Sequence, residues 1–193
     1  MLSNGLEAKV GTLGSKYEFF HEWKRLKESD AGSVELKTML RGICEKKTFL
    51  DLLENFILYD HSGGRTTKIL ARNHQYLGVN EAVSAYENRK LKDGRLGVFW
   101  HTQGSGKSYS MVFLAQKIRR KFAGSPTIVV LTDRDELNRQ ISDTFENCGL
   151  LGKTKASQFI ASSGTDLVKK LQGNPSFVSV SYTHLRAHET EAD

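Results

Sequence analysis

The stretch "FWHTQGSGKS", residues 99–108, combines small residues with one lysine and one hydroxyl side chain that could serve a phosphate group. Gly104 and Gly106 carry no Cβ, so the backbone there can adopt unusual φ angles and approach an anion closely. In such loops a lysine reaches the β and γ phosphates, and a following serine hydroxyl binds Mg²⁺. The sequence therefore predicts a nucleotide phosphate site, with Mg²⁺ on Ser108, at Gly104, Ser105, Gly106, Lys107 and Ser108.

The segments on either side of this loop support that interpretation. The apolar run "LGVFW" (96–100) predicts a buried strand before it, and "SYSMVFLAQKIRRKF" predicts a helix after it. The helix would turn Met111, Leu114, Ala115, Ile118 and Phe122 inward. The phosphate-loop pattern G-x-x-x-x-G-K-[ST] has a glycine at its first position, where this chain has His101.

Downstream segments alternate between strand and helix patterns. "TIVVL" (127–131) and "SFVSV" (176–180) predict strands, whereas "TDRDELNRQISDTF" and "DLVKKLQ" (166–172) predict helices. Asp133 with Glu136 three residues later resembles a capping box for the first of these helices. Strand–loop–helix–strand–helix order predicts an α/β fold with a parallel sheet and flanking helices.

The N-terminal third of the chain has helical periodicity. "YEFFHEWKRLK" places Phe19, Phe20, Trp23 and Leu26 on one stripe, and "VELKTMLRGIC" and "KKTFLDLLENFILYD" repeat such a pattern. The adjacent glycines of "DHSGGR" (60–65) indicate a loop, and a further helix is predicted over about residues 73–90. We interpret the stripes as packing faces.

The composition and net charge of the chain limit the kinds of function that it can have. Apolar residues make up 38% and charged residues 26%, which is typical of a globular protein and not of a disordered one. The net charge of +6 favours an anionic partner such as nucleic acid without establishing one. Cys44 and Cys148 have no metal-ligand spacing, so we expect reduced thiols in a cytoplasmic protein. Neither a signal peptide nor an apolar run of about 20 residues is present, so no membrane association is expected.

The stretch "GVFWHTQGSGKSYSMVFLAQKI", followed by "TIVVLTDRDELNRQISDTF", closely resembles the restriction (R) subunit of type I restriction–modification enzymes. A weaker resemblance extends over residues 2–178. It implies a helical linker over 1–65, which follows an endonuclease domain in the family. It further implies the start of a RecA-like superfamily 2 motor lobe over 66–178, with its Q motif, motif I and motif Ia.

The resemblance also implies an activity and partners for the whole protein. The R subunit uses ATP and Mg²⁺ to translocate double-stranded DNA and cleaves unmodified DNA, in a complex with methylation and specificity subunits. We expect this chain to supply only the ATP-binding part. Alternatives are another superfamily 2 helicase or translocase, a P-loop nucleotide kinase, or a truncation with no activity of its own.

Two further residues take candidate roles from the resemblance. Gln75, in "ARNHQYLGV", lies where the family carries its Q motif and would hydrogen-bond adenine; the alternative is a surface glutamine on an amphipathic helix. Arg134 matches motif Ia and would meet a DNA phosphate; the alternative is a solvated arginine beside a capping Asp133. The basic run "QKIRRKF" (116–122) is either a DNA-facing surface or a solvated helix end.

Several family features are missing from the sequence. The E-x-K within "VELK" (34–37) lies in a helical pattern and is not interpreted as a nuclease site, and no D-E-x-H box occurs. We therefore assign no catalytic residue and expect ATP binding without turnover. His184 and His188 are not interpreted as a metal site. Residues 179–193 depart from the family pattern, and we expect them to be non-native or disordered.

Overall fold

Helices and short strands alternate along the chain of the computed structural model, which describes residues 1–186. The chain divides into two units, residues 1–59 with 66–117 and residues 60–65 with the chain from 118 on. No helix within residues 1–186 is long and apolar enough to cross a bilayer. The elements are β1 (Leu2–Ser3), β2 (Ala8–Lys9), α1 (Leu36–Ile43), α2 (Lys46–Asn55), β3 (Ile57–Asp60), β4 (Thr67–Leu70), α3 (Asn73–Glu87), α4 (Lys107–Lys121), β5 (Ile128–Thr132), α5 (Asp135–Asn147), β6 (Ile160–Ala161), α6 (Gly164–Gln172), β7 (Phe177–Ser181) and α7 (Tyr182–Arg186).

The helix predicted over "YEFFHEWKRLK" is wrong. The segment contains only a 3₁₀ turn at Tyr17–Phe19 and is otherwise largely extended, with an antiparallel bridge between Val10 and His21. Phe19 is 60% exposed, whereas the Trp23 indole is buried against Gly42 of α1, where a methyl group would collide with it. Backbone hydrogen bonds of this segment go to Val10 and to the Asn73 side chain, and these tertiary contacts outweigh the helical period.

The other predicted helices of the first unit are confirmed as α1, α2 and α3. Their apolar faces meet around a group of aromatic rings. The Phe56 ring centroid lies 4.7 Å from that of Tyr76 and 5.6 Å from that of Phe113, and Trp23 lies 5.4 Å from Tyr76. Tilted rings at these separations stabilise a core beyond their buried area. This core joins α2, α3 and the first part of α4.

A buried ion pair also joins these three helices. Lys117 of α4 is only 7% exposed, and its Nζ lies 2.5 Å from Asp51 Oδ1 of α2 and 2.6 Å from Asn80 Oδ1 of α3. The same ammonium group lies 4.9 Å from the centre of the Phe56 ring. Neither interpretation of the basic run 116–122 describes this residue, because Lys117 occupies the core-facing side of α4 together with Phe113, one turn earlier.

The strand predicted at 96–100 is also wrong. These residues have no regular secondary structure, and Val98 and Trp100 are exposed, at 91% and 86%. A strand requires a neighbouring strand for its backbone hydrogen bonds, and no described strand pairs with this segment. The apolar composition of this segment therefore produced neither a strand nor burial of Val98 and Trp100.

The second unit contains the predicted parallel sheet. Its strand order is β5-β7-β6, with Ile128 opposite Phe177 and Thr132 opposite Ser181 along the β5–β7 pair. β7 is central and buried along its whole length, as expected for a parallel strand covered on both faces. The Phe145 ring of α5 lies 4.6 Å from that of Phe177. The α/β fold class and the strands at β5 and β7 are confirmed.

The prediction that the tail is disordered is wrong for residues 179–186. Ser179 to Ser181 complete the central strand β7, and α7 follows, because pairing with β5 and β6 fixes both edges of β7. His184 Nε2 lies 3.1 Å from Asp135 Oδ1. Residues 187–193, including His188, lie outside the described residues, and the interpretation of the tail as non-native stays a prediction.

Candidate nucleotide-binding site

The predicted phosphate loop forms an irregular turn that leads directly into α4. Ser105 N donates to Thr102 O at 3.3 Å, and the first α4 hydrogen bond runs from Ser110 N to Gly106 O at 3.1 Å. Gly104 and Gly106 have φ angles of +77° and +85°, in the left-handed region that favours glycine. The helix therefore begins at Lys107, and its first-turn N–H groups have no intrahelical acceptors, which makes this end suited to an anion.

Lys107 lies on the outside of the loop. Its side chain is exposed to solvent, and Nζ donates to His101 O at 2.8 Å and to Thr102 O at 3.0 Å. The ammonium group thus already lies beside the loop backbone, at the N-terminal end of α4. Gly104 is exposed as well, so the turn faces solvent and not the hydrophobic core.

Two polar atoms of the loop are buried without a hydrogen-bond partner among the described residues. They are Ser105 Oγ and His101 Nδ1. An unsatisfied buried polar group costs about 1–3 kcal/mol, so such atoms are typical of sites that complete their hydrogen bonds with a bound group. Together with the glycine conformations and Lys107, this fits a nucleotide phosphate chain at the loop.

Gln75 lies in the first turn of α3 and is buried, with 3% exposure. Its Oε1 accepts a hydrogen bond from Arg72 N at 2.9 Å, and its Nε2 donates to Gly106 O at 2.9 Å. The alternative of a solvated surface glutamine is therefore wrong. Gln75, which lies in the stretch that resembles the Q motif, therefore contacts the phosphate loop directly.

His74 was not singled out from the sequence, but it also contacts the loop. Its Nε2 lies 3.0 Å from Ser105 O, and its ring meets His101 edge-on at a centroid distance of 4.7 Å. The Phe99 ring also packs on His101, at a centroid distance of 4.3 Å, and lies against Gly78 of α3. In the sequence, only its position next to Gln75 indicated that His74 could contact the loop.

His101 occupies the position where the motif has its first glycine. Burial lowers the pKa of its imidazole below the usual 6.5, and the neighbouring His74 lowers this pKa further. This lowered pKa favours the neutral imidazole. The His101 side chain adds aromatic packing to the loop.

The candidate DNA contact Arg134 belongs to the second unit. It is the N-cap residue of α5, its side chain is 80% exposed, and its Nε lies 3.5 Å from Asp133 Oδ2. The capping box predicted at Asp133 and Glu136 is wrong, because the helix starts two residues after Asp133. Thr132 Oγ1 instead donates to Arg134 O at 3.1 Å.

Comparison with known proteins identifies the family. The model of the SWI2/SNF2 ATPase family matches residues 74–192. The HindI type I restriction enzyme endonuclease subunit of Haemophilus influenzae is 37% identical over 179 residues, which cover 88% of this chain and 16% of that protein. The MjaIXP and MjaVIIIP endonuclease subunits of Methanocaldococcus jannaschii are 29% and 31% identical, and the matches cover 93% and 64% of this chain.

This chain spans less than a fifth of the length of the first two relatives, 16% and 19% respectively. The matched family segment begins at His74 and includes both α3 and the phosphate loop. The resemblance to R subunits seen in the sequence is confirmed by these relatives. The chain therefore belongs to the SWI2/SNF2 ATPase family and is similar to a part of the endonuclease subunits of type I restriction enzymes.

Proposed function

We propose that this chain supplies the ATP-binding part of the motor of a type I restriction enzyme. The observation that carries the proposal is the solvent-facing turn at Gly104–Lys107, which opens the N-terminus of α4 beside an exposed lysine. Backbone N–H groups and one ammonium group are the donors that a triphosphate needs. Membership of an ATPase family supports ATP over other anions.

Each residue of the loop has a proposed role. Gly104, Ser105 and Gly106 bring their backbone close to the phosphates, and Lys107 neutralises the β and γ phosphate charge. The half-buried Ser108 hydroxyl is a ligand for the Mg²⁺ that accompanies ATP. Bound ATP with Mg²⁺ supplies a terminal phosphoryl group that can be transferred to water.

Gln75 is proposed to read adenine as well as to contact the loop. A glutamine amide has two N–H donors and two acceptor lone pairs, and the contacts to Arg72 and Gly106 use one of each. One donor and one lone pair therefore remain. That pair matches the adjacent acceptor and donor on the adenine edge.

Arg134 is proposed to contact a DNA phosphate. Its exposed guanidinium has only the equally exposed Asp133 as ion-pair partner among the described residues, which is a weak surface contact. A phosphate offers a stronger bidentate acceptor. The net charge of +6 fits a DNA-binding protein.

The remaining proposals concern the whole protein. We propose ATP-dependent translocation of double-stranded DNA and cleavage of unmodified DNA, in a cytoplasmic complex with methylation and specificity subunits. The names of the relatives support the endonuclease role and the restriction system. Hydrolysis by this 193-residue chain is not expected, because its sequence has no D-E-x-H box.

Replacing Lys107 tests the proposed function. Lys107→Ala should weaken binding of Mg²⁺–ATP to the chain at least about tenfold in calorimetric titration, because a charge-assisted contact to the phosphates is lost. Lys92→Ala, which removes an exposed lysine of the same unit outside the loop, should bind as the parent does. Equal ATP affinity of the Lys107→Ala variant and the parent would refute the assignment of the loop.

A further inference from the structure

Two neighbouring side chains of α3 meet two consecutive carbonyl groups of the phosphate loop. His74 Nε2 lies 3.0 Å from Ser105 O, and Gln75 Nε2 lies 2.9 Å from Gly106 O. A carbonyl oxygen only accepts hydrogen bonds, so both nitrogens act as donors. His74 therefore carries a proton on Nε2.

The geometry of the peptide bond gives these contacts a consequence for the loop. A trans peptide unit is planar, and its C=O and N–H point in opposite directions. The Ser105 carbonyl shares a peptide unit with the Gly106 N–H, and the Gly106 carbonyl shares one with the Lys107 N–H. Holding both carbonyls toward α3 turns both N–H groups away from it, and at Gly106 O the Gln75 contact adds to the hydrogen bond that Ser110 N donates within α4. These are two of the N–H groups proposed to bind the phosphates.

The packing around these contacts holds both donors in place. Gln75 Oε1 accepts from Arg72 N, which orients the amide so that Nε2 faces the loop. The His74 ring is held by the edge of His101. A Cβ on Gly106 would lie 2.8 Å from Gln75 Nε2, so glycine is needed there for close approach as well as for its φ of +85°.

We propose that His74 and Gln75 act as a carbonyl clamp, which presets the Gly106 and Lys107 N–H groups for a polyphosphate before nucleotide arrives. His74 is a positioning residue in this scheme, since it acts on the ligand through the loop backbone. The proposal rests on the proposed function of the loop and deepens it. It also gives Gln75 a second role that does not depend on adenine.

The test uses inorganic tripolyphosphate, which has the phosphates of ATP but no adenine. His74→Phe keeps a ring but removes the donor, and Gln75→Leu removes the amide. Each variant should bind tripolyphosphate with Mg²⁺ about three- to tenfold more weakly than the parent in calorimetric titration, as expected for one lost hydrogen bond. His74→Gln, whose amide can replace the Nε2–H, should recover most of the affinity, and Ser84→Ala on the exposed face of α3 should have none of these effects.

The outcomes separate the clamp from the loop assignment. Parent-like tripolyphosphate binding by both His74→Phe and Gln75→Leu, with binding lost in Lys107→Ala, would refute the clamp and leave the loop assignment standing. Equal binding by the parent and Lys107→Ala would refute the loop assignment itself. Amide NMR of the nucleotide-free chain checks variants of altered stability: the clamp requires shifted Gly106 and Lys107 amide resonances in His74→Phe while the α1 amides keep their parent shifts.

Discussion

At the scale of single residues, the candidate site depends on polar groups in unusual surroundings. The spacing of Gly104, Gly106 and Lys107 predicted a phosphate-binding loop, because few other kinds of site require this combination of residues. It could not predict that Gln75 and His74 contact the loop, since hydrogen bonds between residues about thirty positions apart depend on the fold. The burial of the Gln75 side chain likewise depends on the fold and could not be predicted from the sequence.

Two partly buried histidines make the stability of the chain depend on pH. Burial lowers the pKa of His101 and of His21 in the folded chain. The folded state therefore binds fewer protons than the unfolded state near the usual histidine pKa. The free energy of unfolding is expected to be highest above about pH 6.5 and to fall as the pH decreases below it.

Chemical denaturation at about pH 7.5 and about pH 5.5 measures this dependence. His101→Gln should lose less unfolding free energy than the parent between these two values, since it removes one of the two groups. His61→Gln, which alters an exposed histidine, serves as control. Identical pH dependence in the parent and His101→Gln would contradict the assigned role of His101 burial.

At the scale of elements, periodicity predicted helices better than it predicted burial. The pattern of α4 is confirmed, yet Met111 is exposed while Val112 and Phe113 are buried, because the helix turns a neighbouring face to the core. The strand predicted at 96–100 failed because apolar composition does not supply a pairing partner. The parallel sheet was predictable because β5 and β7 are short segments that contain β-branched residues and are bounded by turn residues.

The ion pair between α2 and α4 gives a prediction at this scale. Lys117→Ala should lower the free energy of unfolding by about 3 kcal/mol, because it leaves the largely buried Asp51 carboxylate without its cation. Arg120→Ala, at an exposed position of the same helix, should change it by less than about 0.5 kcal/mol. Denaturant titration of both variants measures the difference.

A second variant distinguishes the charge from the packing of Lys117. Asp51→Asn with Lys117→Met removes both charges and keeps an apolar chain of similar length in the core. It should restore much of the stability lost in Lys117→Ala, as found generally for buried ion pairs replaced as a pair. If Lys117→Ala is no less stable than Arg120→Ala, the ion pair does not hold α2 to α4.

At the scale of the whole molecule, local motifs identified the family although the chain spans only 16% of the HindI relative. The residues that carry the resemblance lie in α3, the phosphate loop, β5 and α5. The N-terminal segment was predicted less well, because Trp23 and the Val10–His21 bridge fix its conformation through long-range contacts. Motifs can be recognised in a short sequence, whereas these tertiary contacts can be identified only from the structure.

Amide NMR of the ¹⁵N-labelled chain tests most directly whether backbone amides at the start of α4 surround a triphosphate. On addition of Mg²⁺–ATP, the largest amide shift changes should fall on Gly104, Ser105, Gly106, Lys107 and Ser108, while amides of α1 should not move. Shift changes that avoid these five residues, with ATP bound, would contradict the account.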